Sequence, residues 1–157
     1  MTSEPSPHDL LELRRLIDAY GIAVDTRDGK RFAEVFTDDA VLAIYEPDEL
    51  DAPSSTIEGR AALAEVPQMV SGYHNTMHLM ANHYCEVDGD EGEGLVYGLS
   101  LHLRAGESDQ DTYMVQHYRD RYRRVDGRWR ISRRDVLRQW TEYHAAERAR
   151  LADSLAE

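Results

Sequence analysis

The apolar residues at the start of the chain recur at a helical spacing. Intervals of three and four residues place them on one face of an α-helix that begins near residue 8. Shorter helices are predicted over 30–36 and 59–70, and the first seven residues are predicted to form a disordered tail because two of them are prolines. The helical face carries Leu10, Leu13, Ile17, Tyr20 and Val24.

Beyond residue 72 the apolar period changes from about 3.6 to two, which is typical of strands. Acidic and glycine-rich turns separate the strands, and the Asp126-Gly127 pair is typical of a hairpin turn. Residues 46–58 are predicted to form a polar loop beside a pocket, and 140–157 a C-terminal helix rich in Ala, Glu and Arg. The predicted strands cover 40–45, 76–87, 94–104, 112–125 and 128–139.

This order of elements, helices first and a long meander afterwards, predicts one domain over residues 1–157 of the α+β class. We expect a cone-shaped, curved antiparallel sheet with the N-terminal helices closing a cavity against one of its faces. Such a cavity is the default position for a small-molecule site.

Composition narrows the possible partners. The chain carries 30 acidic and 18 basic residues, a formal net charge of −12, which repels nucleic acids and anionic membrane surfaces. Its single cysteine, Cys85, cannot form an intrachain disulfide, and no apolar run approaches the length of a membrane span. Because no signal peptide is recognisable at the start, we expect a cytoplasmic protein.

Strand alternation separates the candidate chemical residues. On the strand over 76–87, His78 shares a face with Met80, and His83 is predicted to point to the other face. On the next strand, His102 lies opposite an unbroken leucine and tyrosine face. Arg134 is predicted to share a face with Val136 and to lie opposite Trp129 and Ile131.

An aspartate that holds an imidazole in one tautomer turns that histidine into a positioned general base. Asp25 is such a candidate for His78. Five residues separate Tyr20 from Asp25, about 140° of helix rotation, so both reach one cavity only if Asp25 lies where the helix ends or at the edge of its buried stripe. The alternatives are that Asp25 caps a helix or pairs with Arg27, and that Arg134 belongs to a solvated, charge-rich strand.

Other chemistries find little support in the sequence. A zinc site is disfavoured because His78 and His83 are predicted to face opposite ways and no cysteine pair is present. No glycine-rich phosphate loop occurs, so no nucleotide cofactor is expected. We therefore predict neither a metal nor a cofactor.

Several spaced motifs together resemble the SnoaL-like branch of the nuclear transport factor 2-like (NTF2-like) superfamily, over about residues 8–140. They are Tyr20-x4-Asp25, Phe32-x3-Phe36-x2-Asp39-Ala40-Val41, Gly59-Arg60, Thr76-x-His78, Tyr118-x-Asp120-x-Tyr122 and Gly127-x-Trp129-x-Ile131-x2-Arg133-Arg134.

The resemblance implies a cone of curved antiparallel sheet closed by helices, usually dimeric. In the dehydratase-like members, an Asp on the first helix and a His on a central strand form a catalytic dyad, and Asp25 and His78 match these positions. Tyr20, Arg134 and His102 match accompanying site residues.

The resemblance thus implies a cofactor-independent lyase or isomerase that acts on a hydrophobic cyclic, polyketide-like or steroid-like molecule. The alternative is a non-catalytic binding protein, or an oxygenase-subunit-like protein, on the same fold.

Overall fold

The computed structural model describes residues 5–104 and 110–145. Two helices come first along this part of the chain, two short helices lie between the second and third strands, and the last four strands follow as long antiparallel hairpins. The elements are α1 (Pro7–Asp25), α2 (Gly29–Glu34), β1 (Phe36–Tyr45), β2 (Ser55–Glu58), α3 (Arg60–Leu63), a 3-10 helix (Val66–Val70), β3 (Tyr73–Asp88), β4 (Glu91–Arg104), β5 (Gln110–Val125) and β6 (Arg128–Ala145).

Helix α1 begins at a proline, because a residue at the first helical position needs no backbone N–H partner. The side chain of Ser6 accepts a hydrogen bond from the backbone N–H of Asp9 at 3.2 Å and caps the helix. The predicted disordered tail is therefore wrong for residues 5–7, and Pro5 is buried. The remainder of that predicted tail, residues 1–4, lies outside the described residues.

The strands form one six-stranded curved sheet in the order β2-β1-β6-β5-β4-β3. All neighbouring pairs in it are antiparallel except β1 and β6, which run parallel. The predicted α+β class, with a curved sheet and N-terminal helices, is confirmed. The parallel pair is possible because the chain leaves β1 and returns to its side only after the β3–β5 meander.

Two β-bulges reverse the predicted alternation. Between Met80 and His83, β3 has one residue more than the facing stretch of β4, so His83 lies on the same inner face as Met80 and His78. A second bulge, at Ser132 in β6, puts Trp129 and Ile131 on the inner face with Arg134. The predictions that these residues point to opposite faces are wrong, because each extra residue shifts the period by one.

Three element predictions also differ from the structure. Residues 55–58 form the edge strand β2 rather than part of a loop. The helix predicted over 59–70 is divided into α3 and a 3-10 helix around Pro67, whose ring is incompatible with a continuous helix. Residues 140–145 continue β6, and those from 146 to 157 of the predicted C-terminal helix lie outside the described residues.

Cross-strand pairing explains why 140–145 is a strand despite its helix-forming composition. This segment pairs with β5 from Gln110 to Val115, and the rings of Tyr113 and His144 pack with centroids 4.3 Å apart. Tertiary pairing of this kind overrides the weak preference of single residues.

The core fills the space between α1, α2 and the inner face of the sheet. Its aromatic centre is a cluster of tilted and edge-to-face rings: Tyr20, Phe32, Phe36 and Tyr118. In the described part of the chain, no helix is both long and apolar enough to cross a membrane.

Candidate active site

Asp25 and His78 meet at the wall of a cavity. Oδ1 of Asp25 lies 2.6 Å from Nδ1 of His78, and Oδ2 accepts the backbone N–H of the same histidine at 2.9 Å. Helix α1 ends at Asp25, so its side chain can turn toward β3 although Tyr20 lies almost on the opposite side of the helix. The helical-phase condition for a shared site is therefore met.

The environment of Asp25 favours the ionised carboxylate. Burial raises its pKa, but the hydrogen bonds from the ring and backbone of His78 and from Thr76 outweigh this effect, so the pKa lies below its usual value. An ionised carboxylate can only accept hydrogen bonds, so Nδ1 of a neutral His78 carries the proton. Nε2 of His78 is then left unprotonated, and none of the described residues hydrogen-bonds it.

His102 lies beside the dyad on β4. Its ring centroid is 5.3 Å from that of His78 and 4.6 Å from that of Tyr73. Burial, together with the nearby His78, lowers the pKa of His102 to about 4, so the ring is neutral near pH 7. Both of its ring nitrogens are buried without a hydrogen-bond partner among the described residues. A neutral imidazole with unused nitrogens can offer a donor and an acceptor to a bound molecule.

Arg134 is completely buried below the cavity rather than in its wall. Its Nε and one terminal nitrogen bind the two oxygens of Asp120 at 2.7 and 2.6 Å. The guanidinium carbon lies 4.1 Å from the ring centroid of Tyr20 and 4.7 Å from that of Tyr118. Arg134 is thus separated from the cavity by aromatic rings. Tyr20, another predicted site residue, contacts Arg134 and also lines the cavity.

The cavity lies between the inner face of the sheet, α1 and the 3-10 helix, and has a volume of about 130 Å³. That is below the roughly 300–1,000 Å³ of sites for drug-sized ligands. A larger depression of about 410 Å³ lies elsewhere, among charged residues such as Glu93 and Arg121, and it does not contact the dyad. The cavity is lined by Tyr20, Val24, Leu42, Ile44, Ile57, Val66, Met69, Val70, His78, His102, Met114, Gln116, Tyr118, Val136 and Arg138.

The lining is mostly apolar, with a few polar side chains among its residues. This combination suits a hydrophobic molecule that is oriented by one or two oxygen atoms. Three of the predicted site residues, Tyr20, His78 and His102, line the cavity directly, and Asp25 lies behind His78.

Two polar residues of the cavity lining, Arg138 and Gln116, were not predicted from the sequence. Arg138 lines the cavity, binds Glu46 at 2.7 Å and keeps a buried Nε without a partner among the described residues. The alternation that places Arg134 on the inner face also places Arg138 there, so this residue could have been found. Gln116, which hydrogen-bonds Ser100, could have been found in the same way from Tyr118 and Asp120.

His83 does not join the dyad although it shares its face of the sheet. One of its ring nitrogens lies 3.1 Å from the hydroxyl of Tyr122, which in turn donates to Asp120 at 2.9 Å. Cys85 is also turned inward by the bulge and packs in the core. Among the described residues, no three histidine, cysteine or acidic side chains are grouped in a way that would hold a metal ion.

Comparison with known proteins bears on the family and the fold of this chain. The family model described as a SnoaL-like domain matches residues 6–135. An uncharacterized protein from Mycobacterium tuberculosis is 27% identical over 134 residues, which cover 85% of this chain and 88% of that protein.

Two solved structures are similar over nearly their whole length. A type 2 hexachlorocyclohexane dehydrochlorinase (LinA) has a TM-score of 0.77 and 24% identity, covering 90% of this chain and 93% of that one. A Novosphingobium aromaticivorans protein proposed to be a scytalone dehydratase has a TM-score of 0.75 and 21% identity, covering 90% and 95%. At this level of identity the similarity establishes the fold and leaves the activity open.

Proposed function

This chain belongs to the family of SnoaL-like domains, and on that premise we propose that it is a cofactor-independent lyase or isomerase. The proposed reaction begins with removal of a proton from carbon by His78. Its substrate is a hydrophobic cyclic molecule that carries a carbonyl or hydroxyl group, of the polyketide-like or steroid-like kind.

The observation that carries this proposal is the 2.6 Å contact between Asp25 and Nδ1 of His78 at the wall of an apolar cavity. Because Nδ1 is engaged by the carboxylate, Nε2 is the nitrogen that can accept a proton. As His78 becomes an imidazolium, the negative charge of Asp25 compensates the new positive charge. Positioned acid–base help of this kind accelerates a reaction by about 10²- to 10⁴-fold, which is sufficient for an activated C–H bond.

In the proposed elimination, the C–H electron pair forms the new double bond as the leaving group departs with its own pair. The protonated His78 then returns its proton to the departing hydroxide, which leaves as water. In the proposed isomerisation, the same proton is returned to a different carbon of the enolate. Both routes balance without a cofactor.

The remaining predicted residues are proposed to stabilise negative charge on the substrate oxygen. Neutral His102 has an N–H available for that oxygen, and Tyr20 brings its hydroxyl-bearing ring to the cavity. Arg134 would act through the field of its buried charge below Tyr20 rather than by touching the substrate.

The volume of the cavity limits the size of the substrate. A volume of about 130 Å³ suits a compact ring system, and a steroid-sized molecule would require the lining to move. Met69 is the most exposed of the large apolar residues of this lining, at 64%. Its side chain has three rotatable bonds, so it is the part of the wall best able to adapt.

Proton removal is tested with a panel of cyclic ketones and β-hydroxyketones incubated in D₂O, with deuterium incorporation and dehydration followed by mass spectrometry. His78→Ala is expected to lower turnover by about 10²-fold or more. His117→Ala is the matched control, because its ring stacks on Tyr97 at 4.2 Å, away from the cavity lining. Full turnover by His78→Ala on a substrate that the unaltered protein converts would refute the assignment.

A non-catalytic binding protein or an oxygenase-subunit-like protein is the second candidate. The observation that favours an assembly role is a set of exposed apolar side chains on the outer sheet face, including Met77, Leu79, Tyr97 and Trp140, each 44–51% exposed. We propose that this face pairs with a second copy of the chain, which light scattering coupled to gel filtration can measure.

Binding of a ligand without any conversion would favour the non-catalytic candidate.

A further inference from the structure

Directly after α1, the chain has a non-glycine residue, Arg27, in the left-handed backbone conformation. Asp28 N–H binds the carbonyl of Ala23 at 2.9 Å and Arg27 N–H that of Val24 at 3.1 Å, which is the hydrogen-bond pattern of a Schellman cap. The residue in the left-handed conformation of such a cap is usually glycine. Here it is Arg27, with φ of 54°. A side chain kept in an unfavourable backbone conformation points to a role for that side chain.

The guanidinium of Arg27 connects three parts of the site. One terminal nitrogen donates to the hydroxyl oxygen of Thr76 at 3.0 Å and to the backbone carbonyl of Asp25. The other donates to the backbone carbonyls of Val70 at 3.1 Å and Tyr73 at 3.3 Å. Val70 ends the 3-10 helix that forms one wall of the cavity, so Arg27 ties that wall to the residues around the dyad.

The chemistry of these groups determines the direction of each hydrogen bond. A guanidinium only donates, so the oxygen of Thr76 must accept from Arg27. The single hydroxyl proton of Thr76 is then left for Oδ1 of Asp25, 2.9 Å away. Asp25 in turn accepts from Nδ1 of His78. Arg27 therefore donates to Thr76, and Thr76 donates to Asp25. The carboxylate of Asp25 is left to accept a hydrogen bond from Nδ1–H of His78.

We infer that Arg27 is a positioning residue: through Thr76 it orients the carboxylate of Asp25 and so keeps the proton of neutral His78 on Nδ1. The importance of this role for catalysis rests on the proposed function. The tautomer of His78, however, is a property of the protein without substrate. Arg27 has no contact with the substrate in this role. Its two nitrogens each serve a separate pair of acceptors, so a lysine with one nitrogen cannot replace it.

The test is long-range ¹H–¹⁵N NMR of the histidine rings, which distinguishes Nδ1–H from Nε2–H without any substrate. In the unaltered protein, His78 is expected to be almost entirely the Nδ1–H tautomer. In Arg27→Lys and Arg27→Gly, the Nε2–H fraction is expected to rise by about tenfold, the effect of weakening one hydrogen bond to a charged group. Thr76→Val should produce the same change, because it removes the intermediate hydroxyl.

Arg27→Gly separates positioning from capping. Glycine suits the left-handed conformation, so a residue that served only the helix end would leave the His78 resonances unchanged in this variant. Arg31→Lys is the matched control, because Arg31 is exposed and its carboxylate partner, Asp28, is 3.7 Å away. If Arg27→Gly does not fold, Arg27→Lys and Thr76→Val decide the question.

Unchanged His78 resonances in folded Arg27→Lys and Thr76→Val would overturn the inference. This outcome is distinct from failure of the proposed function. If His78→Ala were fully active while the tautomer still depended on Arg27, the positioning role would stand and the catalytic assignment would fail.

Discussion

Asp120 and Arg134 lie 2.6 Å apart with no exposed side-chain surface, whereas Asp25 and His78, also 2.6 Å apart, keep 24% and 8% of theirs. The first pair is enclosed below the cavity, between the rings of Tyr20 and Tyr118. The second pair lies at the cavity wall and leaves one ring nitrogen of the histidine without a hydrogen-bond partner among the described residues. The two pairs share a contact distance and differ in surroundings.

The difference separates a structural ion pair from one suited to proton transfer. Arginine stays charged at any relevant pH, and Asp120 already binds two of its nitrogens and accepts a hydrogen bond from Tyr122. No proton can be exchanged there without leaving a buried charge uncompensated. A histidine ring can accept and release a proton, and the cavity gives His78 access to a ligand.

The largest difference between the two pairs is expected when the same Asp→Asn substitution is made in each. Asp120→Asn leaves the guanidinium of Arg134 buried without a compensating charge. Loss of one partner of a buried pair costs about 3–5 kcal/mol, so we expect the free energy of unfolding to fall by that amount. Urea denaturation followed by circular dichroism measures it. A decrease below about 1 kcal/mol would show that the Asp120 pair is not the structural one.

Asp25→Asn should lower turnover strongly and the free energy of unfolding only a little. The amide can still contact the ring of His78 but no longer compensates an imidazolium, so turnover should fall by about 10²-fold. Its free energy of unfolding should change much less than in Asp120→Asn, because His78 can remain neutral. Turnover of the deuterium-exchange substrate and urea denaturation of the same preparation check both statements. A large loss of stability with normal turnover would reverse the roles of the two pairs.

The pH dependence of stability gives a third test, through His102. Its pKa falls from 6.5 to about 4 on folding, because burial disfavours the charged ring. The unfolded chain therefore binds more protons between these values, so stability is complete above pH 6.5 and is lost as the pH falls toward 4. The expected loss between pH 7 and pH 5 is about 2 kcal/mol for this group.

His102→Gln should remove that part of the pH dependence, since glutamine does not titrate. Comparing urea denaturation of the two proteins at pH 7 and pH 5 isolates the effect of His102. An identical slope in both proteins would show that the pKa of His102 does not change on folding, and so that burial is not what keeps this ring neutral.

The smallest effect is expected at the surface. Asp39 binds Arg123 at 2.7 Å, and its hydrogen bonds from Arg123 and Thr37 hold its pKa below the usual value, but 68% of its side chain is exposed. Solvent screens such a pair, so Asp39→Asn should leave thermal stability and turnover almost unchanged. A decrease comparable to that of Asp120→Asn would mean that burial is not what distinguishes the two pairs.

Much of the site was predictable from residue patterns. The helical spacing on α1 predicted a buried Tyr20, and the family motifs paired Asp25 with His78. Alternation along β4 placed His102 on the face opposite the leucine and tyrosine side chains, and in the structure His102 is buried. The two inferences from periodicity succeeded because each depends on a regular run of residues, without an interruption between the reference point and the residue in question.

The sequence by itself determined the fold class, the phase of α1 and the two members of the proposed dyad. Only the tertiary structure decided the bulges that turn His83 and Trp129 inward, the parallel pairing of β1 with β6, and the strand over 140–145. It also placed Arg134 below the cavity and the guanidinium of Arg27 against Thr76. The physical reason is that periodicity is a local property of the chain, whereas bulges, strand partners and side-chain contacts depend on residues far apart in sequence.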